Sequence, residues 1–162
     1  MNGPVSAMSA DEVRTVNAEL DAALLTTAEQ VSPQNLHDVP AEGEWSAAQV
    51  LAHLGEFPHF FAAELRRWRA DPSAVIGRTH DHPARLAAVG DPGDRLDAAR
   101  AAVGEAFADL ADALAALEDH DVTAPTQNVR YGEEPLAAFL DRYVIGHKQG
   151  HVEHLRAAVG DW

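Results

Sequence analysis

Hydrophobic residues recur at steps of three and four along four stretches of this chain, and each stretch reads as an amphipathic helix. The first carries Val13, Val16, Leu20, Leu24, Thr27 and Val31, opens on Ser9 and Glu12 in capping-box spacing, and stops before Pro33. The second opens at "EWSAAQ", where Ser46 and Gln49 repeat the capping box, and continues through Val50, His53, Phe57, Phe60, Phe61, Leu65 and Trp68, with Pro58 as a kink. The third places Leu96, Val103, Leu110 and Leu117 at seven-residue steps, with Phe107 and Leu114 between them. The fourth starts near Pro135, runs through Leu136, Phe139, Leu140, Tyr143, Val144 and Leu155, and ends at Gly160.

No stretch shows the alternation of a sheet strand, so the expected fold is all-α: a four-helix bundle formed as a single domain over residues 1–162. Helices two and three are separated by "DPSAVIGRTHDHPARLAAVGDPGD", residues 71–94, which is longer than ordinary bundle loops. Such length predicts a lid, a crossover or a short extra helix around Pro83 to Val89.

Charge and composition narrow the classes of function. The chain has 26 Asp and Glu against 12 Lys and Arg, a formal net charge of -14 that repels phosphate backbones and anionic membrane surfaces. Neither nucleic-acid nor membrane binding is therefore expected. With no cysteine there is no disulfide, thiolate nucleophile or sulfur-ligated zinc, and any metal must be held by His and carboxylate. No apolar window approaches the ~18 to 20 residues of a membrane span, and the N-terminus lacks a basic segment followed by an apolar run. These features predict a soluble, cytoplasmic protein. Lys148 is the only lysine in a chain rich in Ala, Asp and Arg, a bias attributed to a GC-rich genome rather than to function.

The apolar face of the fourth helix is interrupted by imidazoles. At ~100° per residue, His147, His151 and His154 lie within about 60° of one another, on the stripe of Leu140, Tyr143 and Val144. His147 and His151, four residues apart, can aim ring nitrogens at one ion. His53, beside Phe57 and Phe60 on helix two, is the natural third ligand. Three neutral imidazoles leave positions open for water or substrate, as catalytic metal sites require. Left without a shared partner, several inward imidazoles would cost on the order of 1 to 3 kcal/mol for each unsatisfied group.

Other chemistries fit the residues less well. "HKQGH" lacks the glutamate that follows the first His of a zincin helix, and only "EFPH" supplies the Glu-x-x-His pair of which a dinuclear bundle needs two. Glu56 and Glu64 lie within about 60° of His53 and are candidate proton acceptors from a metal-activated water. Arg78, Arg85 and Arg142 are candidates for holding substrate carboxylates. "GRTHDHPARL", Gly77 to Leu86, places His80 and His82 where a loop folding over the bundle mouth would line a pocket.

The combination of "EWSAAQVLAHLGEF" on an early helix and "GHKQGHVEHLRA" on the last resembles the DinB/YfiT-like superfamily of metal-binding four-helix bundles. Trp45, Ser46, His53, His147 and His151 carry the resemblance. It implies His53, His147 and His151 as ligands of one divalent ion, zinc or nickel foremost, with His154 supporting them one turn on. It further implies a homodimer acting on a small molecule, as a thiol-dependent transferase or isomerase using a low-molecular-weight thiol, or as a hydrolase. His147 stands where mycothiol-dependent isomerases often carry Glu, which sets the chain apart from that subgroup. The competing expectation is a noncatalytic metal-stabilised bundle that binds a small ligand or senses stress.

Overall fold

The computed structural model describes residues 3–160. After a 3-10 turn at Val5–Ala7, the elements are α1 (Ala10–Glu29), α2 (Ala47–Ala70), β1 (Val75–Ile76), α3 (Pro83–Gly90), α4 (Leu96–Ala115), α5 (Asp119–Val122), β2 (Pro125–Asn128), β3 (Gly132–Pro135), α6 (Leu136–Leu140), a π-helical turn (Asp141–Ile145) and α7 (Gly146–Val159). The four long helical runs fall where the apolar periodicity puts them. The chain is mostly helical, however, with a three-stranded sheet ordered β1-β2-β3, and not the all-helical bundle expected from sequence. No helix among the described residues is long and apolar enough to cross a membrane.

Local chemistry explains several helix ends. Ser46 accepts from the Gln49 amide while the Gln49 side chain accepts from the Ser46 amide, a complete capping box at the start of α2. At α1 only half of the expected box forms: Ser9 accepts from the Glu12 amide, and the neighbouring Ala10 amide donates to Asp119. Pro58 lies inside α2 without ending it. Gly160 closes α7 in the left-handed region at φ 77°.

Packing follows the apolar stripes. α2 packs along α4, and α1 packs against both α7 and α4. Leu51, Leu54, Phe57, Leu65, Leu110, Leu114 and Phe139 fill the interior between them. The 71–94 connection contains the predicted short helix as α3, which leans on α2, and it also contributes β1.

β1 pairs in parallel with β2, and β2 pairs antiparallel with β3 across the turn at residues 129–131. "PTQN" and "GEEP" have no apolar alternation, and only Thr126 and Asn128 of β2 are buried, so nothing in their hydropathy announces strands. Side-chain hydrogen bonds hold the hairpin instead: Thr126 Oγ1 donates to Glu134 O, and Asn128 Oδ1 accepts from the Arg130 and Tyr131 amides. Gly77 makes the junction with the helices possible. It adopts φ +93°, and a Cβ there would lie 3.0 Å from Tyr143 Oη and 3.1 Å from Asn128 Nδ2.

Candidate metal centre

The histidines of the last helical run follow a local irregularity. In the π turn the Gly146 amide donates to Asp141 O, five residues back, and a Cβ on Gly146 would stand 2.5 Å from that same oxygen. Glycine is therefore required where the run passes from the π turn into α7. Within the turn, the Tyr143 carbonyl accepts from His147 Nδ1 at 3.2 Å. A carbonyl cannot donate, so Nδ1 carries the proton and the Nε2 of neutral His147 is a lone pair.

That lone pair faces another ring. His53 Nε2, from the middle of α2, lies 3.0 Å from His147 Nε2. Neutral His53 then has two options, and both leave a group unmatched. With the proton on Nε2 it donates to His147, and its buried Nδ1 is a lone pair without a partner. With the proton on Nδ1, that donor is the orphan and two lone pairs oppose each other. Glu56 Oε2, 3.9 Å from Nδ1, is beyond hydrogen-bond reach. His151 completes the group: one nitrogen from each of the three rings lies within 4.8 Å of the others. Its Nδ1 meets His154 Nδ1 at 3.3 Å, which leaves Nε2 for the cluster.

The surroundings keep all three rings neutral. Burial pushes His147 down to about 4, against a smaller upward pull from its bond to Tyr143. Burial and then the neighbouring His147 push His151 down to about 3. His53 is held lower still by burial and by the same two imidazoles. Phe57 stacks on His147 at 4.0 Å, and Trp45 lies parallel to His151 at 6.0 Å and edge-on to His53 at 5.2 Å. Three neutral nitrogen donors in an aromatic surround suit a divalent ion. Two nitrogens each ~2.1 Å from one ion sit roughly 3.0 to 3.4 Å apart, the spacing seen between His53 and His147.

A cavity of about 570 Å³ opens beside the cluster, walled by His53, His147, His151, His154, Trp45 and Tyr143 together with arginines. Such a volume admits a small molecule.

The sequence model of the DinB superfamily matches residues 18–155. The chain belongs to the DinB superfamily. No curated protein and no solved structure matches it. The matched stretch of this DinB-superfamily chain includes the Trp45, Ser46, His53, His147 and His151 set that carries the resemblance in sequence.

The remaining candidates divide by position. His80, Arg78, Arg85, Arg142 and His154 line the cavity. His82 does not: its Nδ1 caps α3 by accepting from the Ala84 amide, and its ring packs on Phe60. Glu56 sits behind Arg78, with its two oxygens 2.5 and 2.8 Å from the guanidinium. Glu64 is buried and accepts from Arg67 and from the Gly77 amide, a structural brace for the β1 junction. Among the other histidines, His37, His59 and His120 are exposed beside Asp94, Asp109 and Glu118.

Three participants escape the sequence reading. Arg130 and Tyr131 reach the cavity from the β2–β3 turn, which no hydropathy pattern announces. Lys148, set aside as compositional, is fully buried and donates to Asn17 Oδ1 at 2.6 Å and Asp21 Oδ1 at 2.5 Å, above the Phe107 ring. Lys148 lies one residue after His147 and so on a different face of α7, away from the cavity.

Proposed function

We propose that His53, His147 and His151 hold one divalent ion, zinc or nickel, and that the adjoining cavity is the reaction site of an enzyme acting on a small molecule. The observation supporting this is the 3.0 Å approach of His53 Nε2 to His147 Nε2, with His53 Nδ1 buried and unpartnered. A cation accepting both Nε2 lone pairs relieves their opposition and leaves the His53 proton on Nδ1, which faces Glu56 Oε2 at 3.9 Å. Bound there, the ion would supply a Lewis acid able to acidify water or a thiol near neutral pH.

The protein's own groups take the remaining roles. The Tyr143 carbonyl fixes the ring of His147, and His154 does the same for His151. His154 is exposed at the cavity wall, within reach of solvent, and exchanges protons with the bound reactants. Glu56 orients Arg78 and supplies negative charge on the outer side of His53. Trp45 and Phe57 keep water from the flanks of the imidazoles. Since the chain has no cysteine, a thiol reactant must enter as a low-molecular-weight cosubstrate. Thiol-dependent transfer and hydrolysis both use this arrangement.

One feature favours a noncatalytic reading, a metal-stabilised protein that binds a small ligand. Both glutamates near His53 are engaged, Glu56 by Arg78 and Glu64 by Arg67 and Gly77, so neither is a free base. The separating experiment loads the protein with zinc or nickel and assays thiol transfer and ester or amide hydrolysis. Metal-dependent turnover that vanishes in His151→Ala and after EDTA supports the enzyme. One tightly held ion without turnover in any assay leaves the binding reading.

A further inference from the structure

We infer that the cavity beside the histidines takes a small organic anion, gripped through carboxylate or phosphate oxygens by Arg85 and Arg130. The inference rests on the reading of this cavity as the substrate site and names the class of molecule that enters it.

Charge is distributed against the trend of the chain. The net charge is -14, yet four of the eleven arginines, Arg78, Arg85, Arg130 and Arg142, line this one cavity, and among the described residues Glu44 is the only carboxylate that does so. The four are not equivalent. Arg78 is buried and bound through both outer nitrogens to Glu56, and Arg142 donates to Glu134 at 2.7 Å. Arg85 and Arg130 have no carboxylate partner among the described residues. Arg85 gives one N–H to the His80 carbonyl at 2.8 Å and keeps its others.

Both unpaired guanidiniums are nevertheless held. Arg85 lies 5.3 Å over the Trp45 ring. Arg130 lies 5.3 Å over Tyr131, whose ring also carries Arg142 at 3.8 Å. Cation–π contact uses the face of a guanidinium and leaves its in-plane N–H groups available, which is the geometry that binds carboxylate or phosphate in a fork. The Arg130 backbone is fixed in turn by the Asn128 side chain. Two guanidiniums with N–H groups to spare on the wall of one cavity favour an anion there, and the acidic exterior disfavours extended polyanions, so the ligand is small.

The test titrates succinate, inorganic phosphate and uncharged succinamide into native protein, Arg85→Gln, Arg130→Gln and the double variant, by calorimetry, with metal content measured on the same samples. Each titration is repeated on EDTA-stripped protein. We expect one or both anions to bind and succinamide not to, about tenfold weaker binding in each single variant, and loss in the double variant with metal content unchanged. Preference for succinate or for phosphate tells which head group is recognised. Absence of binding by both anions at millimolar concentration, equal binding of succinamide, or undiminished binding in the double variant would overturn the inference. Arginine-dependent anion binding by a protein that takes up no metal would leave this inference standing and remove the metal.

Discussion

Two polar clusters are buried on different faces of the same helix, and they differ in completeness. At Lys148 the groups match: an ammonium donates to the Asn17 amide oxygen and the Asp21 carboxylate, and its third side rests on Phe107. At His53, His147 and His151 they do not all match, since neither tautomer of His53 satisfies both of its ring nitrogens and the buried Nδ1 has no partner. A cluster that satisfies itself ties α7 to α1, and its function ends with the fold. A cluster with an unpartnered ring nitrogen, placed at a cavity, could hold a metal ion.

The contrast yields expectations of decreasing size. Lys148→Met should destabilise the fold by about 3 to 5 kcal/mol, read by denaturant melts, because it strands the half-buried Asp21 carboxylate. A metal-loaded protein should lose about 4 kcal/mol on chelation if the free ion stood at a thousandfold its Kd, and His151→Ala should show no such response. Equal sensitivity of both proteins to EDTA would place the ion elsewhere.

The next effect concerns pH. His147 and His151 have folded values of about 4 and about 3, below the ordinary 6.5, so the unfolded chain binds more protons once the pH falls under about 6.5. Their contribution is present above 6.5 and lost as the pH falls toward 4. The first unit below 6.5 should remove about 1 kcal/mol for each histidine from the stripped protein, checked by melts across that range. Smallest is His154→Ala, which removes a contact to His151 but not a ligand, and should weaken metal binding about tenfold by competition titration.

The difference between the clusters also explains what the sequence reveals. His53, His147 and His151 are legible because four-residue spacing and an apolar stripe are local properties, and imidazoles stand out against leucine and phenylalanine. The same locality makes the long helices, α3 and the stop at Gly160 readable. Lys148 finds Asp21 across 127 residues of chain, and no periodicity reports such a pairing. Glu64 shares the helix face of His53 and still turns toward Gly77, because the β1 junction presents an amide there. Arg130 enters the cavity only because a polar hairpin, held by Thr126 and Asn128 rather than by apolar burial, carries it there.

The measurement that bears most directly on the histidine cluster is the metal content of the untagged protein by mass spectrometry, native beside His53→Ala. About one divalent ion per chain, absent from the variant, is the result expected from the opposed Nε2 atoms. No ion in the native protein after incubation with zinc, nickel and manganese, or the same content in both proteins, would contradict it.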